Sequence, residues 1–332
     1  MDHDHMHMDG SALPPVHWYQ LLGHWRLEGG WLLACVLLAA VYLLGVGLAR
    51  RRGHESVGPL RAGWWLLGLT LTYVTVASGI GIYGEVLFWV HMIEHLALVM
   101  VIPTLLALGS PLRVLRASLR EPARFDRAVR TPVLRVLGHP GFGFAAYAVV
   151  IVATHLTGFM DAMMTSPGLV LVERLLYLVG GWLLLVHLVG VEPLPARLST
   201  GMRLFFSVVM MTPDTVVGIV LLQTGTNLFP AMDAMRPAWA GTGLDAALQD
   251  LHTGGALMWA AGDSLMMFVS VGLIVRLISD PQRDRLLGTW LDSARAGTFE
   301  QRAGATADAD IDDSDDALAA YNQMLGRLDR GH

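Results

Sequence analysis

A short stretch of the chain, residues 89–95, places two histidines, a methionine and a carboxylate inside an otherwise apolar segment. His91 and His95 are four residues apart, which in a helix puts both imidazoles on one face, about 5–6 Å apart at Cβ. Met92 and Glu94 lie between them. Ionisable groups within a membrane helix are costly and usually functional. The spacing predicts a metal-binding pair, against the alternative of core histidines bonded to backbone or to Glu94.

The composition is that of an integral membrane protein. Of 332 residues, 54% are hydrophobic and only 15% are charged, whereas a soluble domain carries about 25% charged residues. All 23 basic residues are arginines, and the lack of lysine excludes a retinal Schiff base. The single cysteine, Cys35, excludes a disulfide framework and a CxxC metal site.

Long apolar runs define the predicted fold class. A membrane-spanning helix needs about 20 apolar residues. Seven segments qualify: Trp31–Ala49, Ala62–Tyr83, Phe88–Gly109, Pro140–Met160, Gly168–Gly190, Leu204–Thr224 and Leu251–Ile278. We therefore predict an all-α, polytopic membrane helical bundle of seven transmembrane helices.

The arginines predict the orientation of this bundle. All except Arg26, Arg174 and Arg236 fall on one side of the predicted spans. Because basic residues accumulate in cytoplasmic segments, the N-terminus is expected outside and the C-terminus in the cytoplasm. The chain then divides into an outer His/Met-rich tail (1–29), a seven-helix transmembrane domain (30–279) and a partly disordered cytoplasmic tail (280–332).

Further candidate ligands fall on the predicted outer side. The N-terminal tail interleaves imidazoles with thioethers, which predicts a metal-capture arm, against the alternative of a passive polar terminus. These tail residues are His3, His5, Met6, His7 and Met8. Within the membrane domain, His155 is a candidate third ligand, and His252 and Asp250 are candidate ligands or ligand-orienting residues. Thioethers with imidazoles and no thiolate cluster favour copper, particularly Cu(I).

Two acids lie deeper in the predicted bundle. Asp214 and Asp263 fall in the middle of the sixth and seventh spans, where lipid exposure would be costly. They predict either an intramembrane polar path or hydrogen bonds between helices to serine and threonine. Methionines near these acids favour either a copper path or ordinary core filling.

The third and seventh spans resemble a known family. The run His91-Met92-x-Glu94-His95, continuing through residues 103–112, resembles the HMxxH…PxLLxLGxP signature of the CtaG-type cytochrome c oxidase assembly factors. Residues 250–259 resemble the family's Asp-x-x-x-Gly-Gly-x-x-x-Trp region. The resemblance implies a multi-pass protein of the bacterial plasma membrane that helps to assemble haem-copper oxidase. It further implies copper delivery, with oxidase subunits and membrane lipid as partners.

The chain departs from that family pattern at two positions of the fifth predicted span. Many members carry a second His-x-x-x-His at the start of the fifth span, but this chain has Val170 and Arg174 there. Glu173 remains where the family often has an acid. If the second pair were a ligand set, the metal geometry of this chain would differ from that of its relatives.

Four functions compete at this point. The leading one is an oxidase assembly factor that holds copper at an outer-leaflet His/Met site. The alternatives are a copper transporter, a haem-binding redox protein with axial ligands such as His91 and His155, and a scaffold without metal. No hydrolase or nucleotide-binding motif is present, so we expect no enzyme. The arginines serve as topology signals and lipid contacts, which implies no nucleic-acid binding, and the sequence defines no oligomeric state.

Overall fold

The computed structural model describes residues 13–53, 58–196 and 198–278. These residues are helical, with no β-strand among them apart from an isolated bridge between Trp25 and Ser78. The long helices are α1 (Gly29–Arg51), α2 (Pro59–Ala77), α3 (88–109), α4 (Pro140–Leu156), α5 (Pro167–Val189), α6 (Thr200–Gln223) and α7 (Leu244–Ile278). Of the described residues, those up to Leu273 form one compact unit and residues 274–278 fall in a second; the packing that follows lies within the first.

Within the part of the chain that the structure describes, five helices are long and apolar enough to cross a membrane, as expected of a membrane protein. They are Gly29–Arg51, Phe88–Ser118, Pro167–Val189, Thr200–Gln223 and Leu244–Val275. Each overlaps a predicted span. The fourth predicted span contains the apolar helix α4, which is shorter at 17 residues. The prediction of an all-helical membrane bundle is thus confirmed, while the count of seven spans and the orientation stay predictions.

The second predicted span is divided in two. Helix α2 ends at Ala77, Ser78 is extended, and a short helix follows over Gly79–Gly84. The Ser78 hydroxyl accepts a hydrogen bond from the backbone N–H of Ile80 (3.3 Å), which caps the short helix. The backbone N–H of Arg26 donates to the carbonyl of Ala77 (2.8 Å), so the segment before α1 is held against this break.

Helix α3 contains a π-helical turn directly after the two histidines. The order is α-helix over Phe88–Leu96, π-helix over Ala97–Val101 and α-helix over Ile102–Gly109. Pro103 has no N–H to give to the carbonyl of Val99 four residues earlier, and a widened turn accommodates that loss. π-turns of this kind often occur at functional sites.

Small residues let the central helices approach closely. A Cβ at Gly181 of α5 would lie 2.0 Å from the Val99 carbonyl oxygen of α3. A Cβ at Gly143 of α4 would lie 2.5 Å from the Leu183 carbonyl oxygen of α5. Glycine at such contacts is typical of helix packing in membranes. Among the five candidate spans, the one that contains α3 is the most buried, and α2 and α5 pack against α3.

The opposite end of the bundle carries a carboxylate cap. Glu192, which follows α5, accepts hydrogen bonds from the backbone N–H groups of Leu112 (3.0 Å) and Arg113 (2.9 Å). These N–H groups begin the short helix Pro111–Ser118, whose N-terminus favours a negative charge. Burial nevertheless raises the pKa of Glu192 to about 7.

Candidate metal centre

Three histidines converge at the end of the bundle where α3 begins and α4 ends. His91 and His95 come from α3 and His155 from α4, with exposures of 4%, 0% and 1%. The rings of His95 and His155 meet edge to face, with centroids 5.0 Å apart. Below, these three residues are called the histidine trio. The structure thus brings together the predicted pair and the predicted third candidate.

Four nitrogens of the histidine trio have no hydrogen-bond partner. They are Nε2 of His91, Nδ1 and Nε2 of His95, and Nε2 of His155. Buried polar atoms in folded proteins are almost always hydrogen-bonded, so four nitrogens without a hydrogen bond in one buried cluster require an explanation. The sequence alternative of core histidines bonded to backbone does not describe these atoms.

The backbone orients His155. Its Nδ1 lies 2.9 Å from the carbonyl oxygen of Ile151, one turn earlier in α4, and 2.9 Å from the Thr154 hydroxyl oxygen. A carbonyl oxygen can only accept, so Nδ1 carries the hydrogen and Nε2 presents a lone pair to the pocket. A second nitrogen held in this way is the usual arrangement of a metal-binding histidine.

Helix α5 supplies the third wall of the pocket. The Tyr177 hydroxyl donates a hydrogen bond to Glu173 Oε1 (2.9 Å), and the same oxygen lies 3.5 Å from His91 Nε2. The Tyr177 ring stands edge-on to His95, with centroids 4.3 Å apart. Neither Glu173 nor Tyr177 was predicted as a site residue. The sequence feature that could have indicated them is an acid and a phenol four residues apart within an apolar span.

A buried ion pair lies beside the histidine trio. Arg174 Nε is 2.6 Å from Glu94 Oε1, and both side chains are buried. A Cβ at Gly84 would lie 2.9 Å from Glu94 Oε2, so the glycine leaves room for the carboxylate. Arg174 thus fills a position where the resemblance expects a histidine and neutralises Glu94. Glu173, in contrast to Glu94, faces the trio, and no ion pair with an arginine is seen for it among the described residues.

Met92 contacts helix α7. It is fully buried, and its Cγ would be 3.1 Å from a Cβ at Gly254 of α7. Phe88, one turn earlier, packs against the same glycine. The Phe88 ring centroid lies 6.2 Å from that of His91 and 6.4 Å from that of His155. Met92 therefore belongs to the contact with α7, and Phe88 borders the histidine trio.

Asp250 is engaged by the N-terminus of α3. Its Oδ2 accepts from the backbone N–H of Phe88 and its Oδ1 from that of Trp89, both at 2.9 Å. Arg236 Nη1 also lies 2.8 Å from Oδ2. His252, two residues later, contacts the carbonyl of Thr224 through Nε2 (3.0 Å). The structure places both candidates outside the histidine trio.

The two deeper acids bond across helices. The Tyr147 hydroxyl donates to Asp214 Oδ2, whereas Asp214 Oδ1 has no partner. The Thr215 hydroxyl lies 3.2 Å from both oxygens of Asp263. The Asp263 contact is of the kind expected from hydrogen bonding between helices. Tyr147 precedes His155 by eight residues in α4, so the Asp214 pair lies about 12 Å deeper than the trio.

Five of the predicted ligands lie in the N-terminal tail. The tail candidates His3, His5, Met6, His7 and Met8 lie outside the described residues. Within residues 13–53, 58–196 and 198–278, no group of three or more histidine, cysteine, aspartate or glutamate side chains is arranged to hold a metal ion. The histidine trio therefore supplies suitable donors that are not yet gathered around one point.

Comparison with known proteins identifies the family of this chain. Residues 40–280 match the family described as cytochrome c oxidase caa3 assembly factor (Caa3_CtaG), and the chain belongs to this family. Uncharacterised proteins of Mycobacterium bovis and Mycobacterium tuberculosis are each 30% identical to it over 97% of its length. The match covers 47% of each relative, so the chain spans about half the length of these curated relatives. No solved structure matches the chain.

Proposed function

We propose that this protein helps to assemble haem-copper cytochrome c oxidase by holding copper at the histidine trio and passing it to the oxidase. The observation that carries the proposal is the group of four buried imidazole nitrogens without a hydrogen bond, of which one, His91 Nε2, faces the carboxylate of Glu173 at 3.5 Å. The family supplies the oxidase as the assembly target and favours a non-catalytic role. Oxidase subunits, plasma-membrane location and copper as cargo all belong to this proposal.

The donors of the trio fit copper. Imidazole nitrogen is a good ligand for copper, and His155 is already oriented with a lone pair towards the pocket. Because the trio is not gathered around one point, binding requires rotation of the imidazole rings towards the ion. His95 is the residue with most freedom to do this, since neither of its nitrogens is engaged.

The charge of the pocket favours Cu(I). Glu94 and Arg174 cancel each other, and neutral imidazoles add no charge, so Glu173 leaves one negative charge beside the trio. A monovalent copper ion would neutralise that charge, whereas a divalent ion would leave a positive charge buried. Uncompensated buried charge is expensive, so the balance selects the lower oxidation state.

The test is complementation of cells that lack this protein. We expect His91→Ala/His95→Ala to lower the copper content of the purified oxidase, and its activity, to the level of the empty vector. His187→Ala is a matched control because His187 is also buried but lies near the C-terminal end of α5. Normal oxidase copper in cells with His91→Ala/His95→Ala, at equal membrane levels of the protein, would contradict the proposal.

A further inference from the structure

Two short helices lie at the same end of the bundle as the histidine trio. The first, Phe159–Met164, follows α4 shortly after His155, and the second, Pro230–Ala234, lies between α6 and α7. The backbone N–H of Ala231 in the second donates to Asp161 Oδ1 in the first (3.1 Å). This hydrogen bond joins the two connecting segments.

Both short helices turn methionines inwards. Met160 and Met163 are three residues apart and share a face of the first helix, and Met232 comes from the second. Their exposures are 0%, 3% and 2%. All three belong to the same apolar cluster as Phe88 and Met92. We call Met160, Met163 and Met232 the methionine roof.

A pair of aromatic rings connects the methionine roof to the histidine trio. Phe229, the residue before the second short helix, stacks on Phe88 with ring centroids 5.0 Å apart. Phe88 in turn lies against His91 and His155. Phe88 thus borders the histidine trio, Phe229 lies three residues before Met232 of the roof, and both the roof and the trio are closed to solvent.

We infer that the methionine roof is a second, weaker Cu(I) site through which copper reaches the histidine trio. Thioether sulfurs are soft, neutral ligands that select Cu(I) over harder ions. Exchange of thioethers for imidazoles moves the ion inwards without electron transfer and without release of a proton. This inference rests on the proposed function and adds the entry route and the oxidation state of the cargo.

The alternative is that these methionines only fill space, as methionine does in many cores. Leucine separates the two accounts because Met→Leu keeps volume and hydrophobicity but removes the sulfur. The roof variant is Met160→Leu/Met163→Leu/Met232→Leu. The control variant, Met210→Leu/Met258→Leu/Met266→Leu, changes three equally buried methionines of the same cluster outside the two short helices. Every protein compared is the full chain with Met6→Leu and Met8→Leu, which removes those tail thioethers.

Purified proteins are loaded with two equivalents of Cu(I), and bound copper and its X-ray absorption are measured. We expect sulfur ligands in the parent and in the control variant. The roof variant is expected to bind one fewer copper and to show nitrogen ligands only. Adding His91→Ala/His95→Ala to the parent should leave the sulfur-bound copper in place.

Two results would overturn the inference. One is an unchanged copper count and sulfur signal in the roof variant, and the other is an equal loss in the control variant. If the roof variant keeps its copper while His91→Ala/His95→Ala loses one ion, the roof fails and the proposed function stands. If His91→Ala/His95→Ala loses none while the roof variant loses one, the histidine site fails instead.

Discussion

Two groups of buried polar residues lie at the same end of α3: the histidine trio, and Asp250 with the groups that donate to it, which we call the Asp250 cap. They differ in how completely their polar atoms are hydrogen-bonded. Asp250 receives hydrogen bonds from two backbone N–H groups and from Arg236, which also pairs with Asp233. The trio leaves four buried nitrogens without a hydrogen bond. A satisfied buried network stabilises a fold, whereas unpartnered donor atoms cost stability and are retained for another reason. The cap therefore has a structural role, and the trio has the character of a binding site.

The largest expected effect is on the cap. Asp250→Ala removes one of the two carboxylate partners of the buried Arg236 side chain, which keeps Asp233, and uncaps α3 by leaving the N–H groups of Phe88 and Trp89 unpartnered. Two unpartnered N–H groups and a lost arginine contact together cost about 3–5 kcal/mol. We expect a large fall in the thermal unfolding midpoint of the detergent-solubilised protein. His91→Ala/His95→Ala should change the midpoint far less, and equal destabilisation by the two variants would remove the distinction drawn between these regions.

The buried Glu94–Arg174 ion pair beside the trio should, like the Asp250 cap, contribute to the stability of the fold. Arg174→Met leaves Glu94 buried and unpaired, at a cost of about 3–5 kcal/mol. Adding Glu94→Gln removes the stranded charge and should recover a large part of this loss. Unfolding midpoints of the two single variants and the double variant form a double-mutant cycle. Additive effects in that cycle would show that the pair is not energetically coupled.

The histidine trio is easier to predict from the sequence than the Asp250 cap, for a physical reason. His91 and His95 share one helix, so their spacing alone predicts a common face. The Asp250 contact to Phe88 and the Glu173 contact to His91 join different helices, and their distances depend on helix rotations that the sequence does not give. Pro103 was a readable signal for the irregular turn in α3, whereas the break at Ser78 depends on the chain segment packed against it.

A smaller loss of stability is expected at Asp214. Tyr147→Phe removes the hydroxyl that donates to Asp214, leaving a buried carboxyl without that partner at a cost of about 1–3 kcal/mol. Because the pair is about 12 Å from the trio, the copper content should not change. Metal analysis and thermal unfolding of one preparation check both statements. Loss of copper in Tyr147→Phe would extend the metal site to this depth.

The smallest effect is a pH dependence at the opposite end of the bundle. The pKa of Glu192 rises from 4.5 to about 7 in the folded protein because of burial. The folded state therefore binds the proton more tightly, and this stabilisation is lost as the pH rises from about 5 to 8. The unfolding midpoint of the wild type should fall relative to that of Glu192→Gln over this range. A constant difference would refute the shift.

The most direct test of the central claim is the copper held by the purified full chain after dialysis against a chelator. All proteins carry His3→Ala, His5→Ala and His7→Ala, so that tail histidines do not contribute. Because the chelator strips the weaker site of the methionine roof, we expect one copper per chain in this parent and in the buried-histidine control His187→Ala, and none in His91→Ala/His95→Ala. Equal copper in all three proteins would contradict the assignment of the unpartnered imidazoles as metal ligands.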